Sequence, residues 1–236
     1  MLKKKMVLLL IIFNIFIIRP SQAETLNINT GWTPPISTLL NEIMTATFER
    51  AEIKMEFHLL PGERSISLVG KGVDDGDCCR VPKAIAKDYP DLLQVPEIVY
   101  LAKFSAFAKT PHPKIENFDS LKPFSVATVS GWKILVNNLK RIEPETLHIM
   151  DEPESMFKIL QKDRLDIATY GYLSGLQTIN DLGLTDISAI SPPLAEVPLY
   201  LYMNKKNADH IPTLAQALKE LKAEGVIDEI IKSFTK

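Results

Sequence analysis

"TLNINTGWTPPISTLLNEIMTATFERAEIKMEFHLLP", residues 25–61, places one amphipathic helix between two strand-like segments. Apolar and polar residues alternate over 25–30, and residues 53–61 again favour an extended strand. Between these segments the apolar stripe recurs at helical spacing, with Ser37 as the candidate N-cap, through Leu39, Leu40, Ile43, Met44, Thr47 and Phe48. This order predicts a parallel β-α-β unit, in which the helix crosses one face of the sheet.

The same pattern continues on both sides of the middle of the chain. Residues 62–72 predict a short helix ended by glycine, and residues 73–81 predict a third strand. A second series follows: a strand, a Ser-Gly turn and a helix over 124–133, a helix over 152–164 and a strand over 165–172. Two helical segments, 213–225 and 226–234, close the chain. Two successive α/β units predict two lobes, each a mostly parallel sheet flanked by helices.

Two strongly apolar strands lie between these units and mark where the chain passes from one lobe to the other. They are "YLAKFSAFAK", residues 100–109, and "VPLYLYMNKK", residues 197–206. We interpret them as crossing strands. The first lobe is then expected to comprise residues 24–106 and 196–236, and the second lobe residues 107–195.

The N-terminal segment "MLKKKMVLLLIIFNIFIIRPSQA", residues 1–23, has the features of a secretory signal peptide. Three lysines precede an apolar run shorter than a membrane span, and a small-x-small triplet ends at Ala23. A retained membrane anchor is the alternative. Cleavage after Ala23 is expected to leave 213 residues in the periplasm with a net charge of −6, because it removes four cations and no acid.

That acidic balance, without clustered lysines or arginines, argues against nucleic-acid binding. The four histidines are scattered, and the aspartates of 74–77 lack the closing glutamate of a calcium loop. No metal and no cofactor is therefore expected. Cys78 and Cys79 are adjacent, so in an extended strand they point to opposite faces. We expect packed or idle thiols there, with a vicinal or intermolecular disulfide as the alternative and a metal site disfavoured.

In their order along the chain, these segments resemble the periplasmic solute-binding proteins of ABC importers, in the polar amino-acid-binding branch. The similarity covers 24–236 through "NTGWTPP", "GKGVDDGD", "VATVSGWK", "LQKDRLDIATYGY" and the C-terminal strand and helices. The segments "PGERSISLV" and "DGDCCRVP" also resemble a subgroup of these proteins often found without an obvious transporter partner. The resemblance implies a type II periplasmic-binding-protein fold, α/β and two-lobed, with a hinge of two crossing strands. It also implies a monomer that closes on a small solute without chemistry and is recognised by an inner-membrane permease or sensor.

The resemblance further suggests which residues hold the solute. Trp32 follows the first strand, where the family stacks an aromatic ring, although a rim or core tryptophan is the alternative. Arg80 is a candidate carboxylate clamp, or else an ion-pair partner of Asp75 or Asp77. Arg64 is a second candidate cation, or a residue of a solvated helix face.

In the second lobe the candidates follow two predicted strands. Ser130 and Gly131 form a turn that can present backbone N–H groups to an anion, and Trp132 offers a second aromatic wall. Tyr170 follows the strand that begins after Asp166. The family's ammonium-binding aspartate falls on Gly171 here, which argues against an α-amino-acid ligand, with Glu196 as a possible substitute.

Three functions remain open from the sequence. The leading one is capture of a small polar or anionic solute, amino-acid-like or an organic acid, for an ABC importer. The second is a solute-sensing module that transports nothing. The third, a secreted enzyme on the same scaffold, is disfavoured because no catalytic arrangement is visible.

Overall fold

The computed structural model describes residues 25–82 and 88–235. The predicted signal peptide, residues 1–23, lies outside them. Within the described ranges, no helix has both the length and the apolarity that crossing a membrane requires.

The N-terminal part of the described chain forms the predicted β-α-β-α-β series. Its elements are β1 (Leu26–Thr30), α1 (Ile36–Arg50), β2 (Met55–Leu59), α2 (Gly62–Gly70) and β3 (Gly76–Arg80). α1 begins at Ile36, so the candidate cap Ser37 is instead a buried residue of the first helical turn. The apolar stripe of α1 is buried against the sheet, as its helical spacing requires.

The rest of the chain contains the second α/β series, bounded by two long strands, and two C-terminal helices. The elements are β4 (Leu92–Lys109), β5 (Ser125–Val129), α3 (Lys133–Ile142), β6 (Thr146–Met150), α4 (Pro153–Gln161), β7 (Ile167–Gly171), α5 (Tyr172–Asp181), β8 (Ile187–Ala189), β9 (Ala195–Asn204), α6 (Ile211–Ala223) and α7 (Val226–Ser233). β6, β8 and α5 were not identified from the sequence.

The described strands join in the order β2-β1-β3-β9-β4-β7-β5-β6, with β8 paired to β4. β2, β1 and β3 are parallel to one another, as are β6, β5 and β7. β4 and β9 are antiparallel to their neighbours and carry the chain between the two groups. Each group is thus a mostly parallel sheet flanked by helices, which confirms the predicted fold class.

The core is divided in the same way as the sheet. One large apolar cluster packs α1, α6 and α7 against β1, β3 and β9. Two others lie on the faces of the second parallel group. Along β4, residues Leu92–Phe104 pair with β9 and Phe104–Phe107 with β7, so the chain enters the second group near Phe104. The boundaries 24–106, 107–195 and 196–236 stay a prediction.

Candidate functional site

The strand ends of the two parallel groups face a shared cavity of about 300 Å³, which we call the interlobe cavity. The first group contributes Trp32 and Val81, and the second contributes the start of α3 with its preceding turn. β4 and β9 supply the floor through Ala102, Phe104, Val197 and Leu199. Ligands of open α/β sheets bind beyond the carboxyl ends of the strands, which is where this cavity lies.

Aromatic rings from both halves meet at the interlobe cavity. The ring centroids of Trp32 and Trp132 are 6.1 Å apart, with their planes tilted by 45°. Trp132 also contacts Phe104 edge-on at 5.3 Å and Tyr170 edge-on at 5.5 Å. The structure therefore brings together three of the predicted aromatic residues and adds Phe104. The apolar pattern of β4 placed Phe104 in a strand, but it did not indicate which rings Phe104 would contact.

Trp32 is held in place by the backbone of β3. Its indole Nε1–H donates a hydrogen bond of 2.7 Å to the carbonyl oxygen of Cys79. The ring is half-buried and packs against the first core cluster. The indole edge is therefore occupied by the protein, and the ring face is the part left for another molecule.

The expectation of packed or idle thiols was wrong, because Cys78 and Cys79 form a disulfide with each other. The prediction assumed neighbouring side chains on opposite faces of an extended trans chain. The Cys78–Cys79 peptide is cis, the Cα atoms are 3.0 Å apart, and the two sulfurs meet. Both residues are fully buried. In the described residues, no group of three His, Cys, Asp or Glu side chains is arranged to hold a metal ion.

Arg80 pairs with Asp77, one of the two partners considered from the sequence. Its Nε and Nη2 donate to the Asp77 carboxylate at 2.7 and 3.0 Å, and Nη2 also donates to the Gly62 carbonyl at 2.8 Å. Ser65 donates to the same carboxylate, which is completely buried. Asp77 thus orients Arg80 and ties β3 to the start of α2. Within the described part of the chain, Nη1 of Arg80 has no hydrogen-bond partner.

The other predicted polar positions differ in how close they come to the cavity. Arg64 is exposed in the first turn of α2, without an ion pair to any described residue. The Ser130 hydroxyl donates to Asp151 at 2.7 Å, so it is already engaged. Gly131 lines the cavity with φ of +86° and open space where a Cβ would be. A side chain at Gly131 would therefore be strained by the backbone rather than by neighbours.

The end of β7 is shaped by Trp132 as well. A Cβ built on Gly171 would lie 3.3 Å from Cη2 of the Trp132 ring. Burial raises the pKa of the neighbouring Tyr170, the Trp132 N–H partly offsets this, and the charge of Glu154 adds to it. Glu154 itself is exposed. Glu196, proposed as a substitute anion, is exposed, lies 3.8 Å from Lys103 and does not line the cavity.

Lys133 lines the interlobe cavity and was not identified from the sequence. It is exposed and makes no ion pair with any described residue. In the sequence, only its position directly after Trp132 indicated that Lys133 could belong to the site.

A second cavity, of about 510 Å³, opens on the other side of the crossing strands. Leu101, Lys103 and Ser105 line it, whereas Ala102 and Phe104 line the interlobe cavity. From Leu101 to Ser105, the alternation along β4 separates the two spaces, because successive side chains point to opposite faces. The smaller space is the better candidate site, since it alone has the strand ends and the tryptophans of both halves.

No protein-family model matches the sequence. A protein of Shewanella oneidensis without an assigned function is 25% identical over 191 residues, which cover 79% of this chain and 72% of the relative. The unliganded, open L-cystine solute receptor of Neisseria gonorrhoeae superposes with a TM-score of 0.74 at 17% identity, covering 91% of this chain and 93% of that one.

A histidine kinase sensor domain with similarity to periplasmic binding proteins superposes with a TM-score of 0.63 at 16% identity, over 89% of this chain and 95% of that one. These similarities show that the chain has the fold of the periplasmic binding proteins. The two solved structures named here are a solute receptor and a histidine kinase sensor domain.

Proposed function

We propose that this protein binds a small solute between its two lobes in the periplasm and delivers it, chemically unchanged, to an ABC importer. The contact between Trp32 and Trp132 carries the proposal. The two rings come from separate halves of the fold, and they border a cavity of ligand size. Closure over a ligand is the ordinary motion of two domains joined by a hinge.

In this proposal, β4 and β9 form the hinge, and the lobes are residues 24–106 with 196–236, and residues 107–195. Trp32 and Trp132 present ring faces to the solute. Arg80 offers Nη1 to an anionic group while Asp77 holds the other two nitrogens. Gly131 lines the cavity, and Arg64, Ser130 and Tyr170 are further proposed contacts of the solute.

Thermal unfolding of the exported protein tests the proposal. The full chain is expressed in a bacterial host and recovered from the periplasm, where mass spectrometry is expected to find Glu24 at the N-terminus. The protein is screened against amino acids, organic acids and sugars. A ligand at 100 times its Kd stabilises the native state by about 2.7 kcal/mol. For a chain of this size that raises the Tm by about 5–10 °C.

The Trp32→Ala variant tests whether the shift comes from binding at the interlobe cavity. Circular dichroism checks independently that the variant is folded. We expect the variant to lose most of the ligand-induced shift. A screen in which no solute changes the Tm contradicts the proposal, as does conversion of a bound solute to product.

A sensing role is the second candidate, supported by the similarity to the histidine kinase sensor domain. The two roles differ in whether the cell accumulates the solute. Deletion of the gene is expected to lower uptake of the radiolabelled ligand if the protein serves an importer. Unchanged uptake, with a lost transcriptional response to the same solute, favours the sensor.

A further inference from the structure

The chemistry of the interlobe cavity indicates a ligand class more specific than a small solute. We infer that the cavity takes an organic acid with an apolar body and no ammonium group, rather than an α-amino acid. This inference rests on the proposed function, since it concerns the same site. It is based on an apolar, aromatic cavity that has Lys133 in its lining, Arg80 at the adjoining strand end and no acid among the described residues that line it.

The residues that line the cavity determine which uncharged group of the ligand fits there. Trp32, Trp132 and Phe104 supply aromatic surface from three directions, and aliphatic side chains complete the lining. The N–H of Trp32 is already bonded to Cys79, so this ring offers its face and not a donor. Apolar surface of this kind favours burial of a hydrocarbon or aromatic group over a hydroxylated or highly charged one.

The charge of the ligand follows from the cations. Among the described residues, Lys133 is the only charged one that lines the cavity. Arg80 directly precedes Val81 of the cavity lining, and its Nη1 has no hydrogen-bond partner among the described residues. A carboxylate between these two groups gains charge-assisted hydrogen bonds, which are stronger than those between neutral groups.

The acidic side chains nearby are engaged or lie elsewhere. Asp77 is buried under Arg80 and Ser65. Asp151 accepts the Ser130 hydroxyl, and Glu196 lies against Lys103. Glu154 is exposed on α4 and does not line the cavity.

An ammonium group would therefore enter the cavity without a carboxylate to receive it. Burial of an unpaired cation is strongly unfavourable, which makes the cavity select against it. At the end of β7, Gly171 provides no side chain, and the Trp132 ring fills the space directly above it.

Matched pairs of ligands test this inference, because each pair differs only in the α-ammonium group. The pairs are 3-phenylpropanoate with L-phenylalanine, indole-3-propanoate with L-tryptophan, and octanoate with L-2-aminooctanoate. Titration calorimetry with the periplasmic protein measures each Kd. We expect at least one acid to bind ten or more times more tightly than its amino-acid partner, and 3-phenylpropan-1-amine not to bind.

The cations are tested with two lysine variants of similar exposure. Lys133→Met is expected to weaken binding of the acid five- to tenfold, whereas Lys103→Met, on the other side of β4, leaves the Kd unchanged. Arg80→Lys keeps the charge but loses the planar fork of the guanidinium. We expect this variant to bind the acid three- to tenfold more weakly than the wild type. Thermal unfolding of each variant separates weaker binding from misfolding.

The possible failures are distinguishable. If every amino acid binds as tightly as its acid, or if only amino acids, sugars or amines bind, the inferred class is wrong and solute binding stands. If neither these six compounds nor the general screen changes the Tm, the proposed function falls as well.

Discussion

A main-chain oxygen of β3 fixes the N–H edge of Trp32. Cys79, bonded through sulfur to Cys78 inside β3, presents its carbonyl to the indole N–H at 2.7 Å. The aromatic wall of the site is therefore attached to the same strand end that carries Arg80. A shift of this strand end would move the ring and the guanidinium together, which couples the apolar part of the site to its charge.

Asp75 gives a residue-level prediction about acid stability. Burial raises its pKa, but hydrogen bonds from Lys206, the Asn27 N–H and Asn207 outweigh this effect and leave the pKa below its ordinary value. The three donors lie 2.8–2.9 Å from its carboxylate. Asp75→Asn is expected to lower the free energy of unfolding at pH 7 by about 1–3 kcal/mol.

The pH dependence follows from the sign of this shift. A carboxyl with a lowered pKa in the folded state contributes fully above its unfolded pKa of about 3.9 and loses that contribution as the pH falls through the lower folded value. Urea unfolding is therefore expected to show the difference between wild type and Asp75→Asn shrinking below about pH 4. Asp91→Asn, which breaks the exposed pair with Lys205, is the control and changes stability by about 0.5 kcal/mol or less. A difference for Asp75→Asn that grows on acidification contradicts the assignment.

Among the helices and strands, the sequence predicted those in which the apolar residues of the pattern are the buried ones. The stripe of α1 is one example. β6 was missed because, among the described strands, it pairs only with β5 at the end of the sheet and leaves most of its side chains exposed, which gives no apolar alternation. α5 was missed because it begins at Tyr172 directly after β7 without a turn signal, and carries Gly175 in its interior.

Gly175 gives the element-level prediction, because it allows α5 to approach β4. A Cβ at this position would overlap the ring of Phe107, a fully buried residue of β4. Alanine is better than glycine in a helix by about 1 kcal/mol, but overpacking costs about 1–3 kcal/mol. Gly175→Ala is therefore expected to lower the urea midpoint in spite of its higher helix propensity.

A double-mutant cycle provides the control for this contact. In a Phe107→Leu background the ring is absent, and Gly175→Ala is expected to become neutral or to stabilise by up to about 1 kcal/mol. If Gly175→Ala stabilises the wild-type protein, Gly175 is not required for the close packing of α5 on β4.

At the scale of the whole molecule, the sequence identified residues of the site but not the contacts between them. Trp32 and Trp132 were both candidates, yet nothing in the linear pattern shows that their rings contact. The contact depends on the pairing of β4 with β9, which brings the two halves together through strands far apart in the chain. Lys133 was missed for the same reason, since its significance comes from the cavity it lines.

This contact allows closure to be followed with the natural tryptophans, because the chain has two and one lies in each half. Indoles 6.1 Å apart couple electronically, so the circular dichroism of the wild-type protein is expected to differ from the sum of the Trp32→Phe and Trp132→Phe spectra minus the spectrum of the folded double variant, and this difference is the excess due to the contact. A bound solute that moves the lobes or enters between the rings changes this excess. We expect the change to saturate at the same Kd as calorimetry, whereas a constant excess at full occupancy would show that binding occurs elsewhere or leaves the two halves fixed.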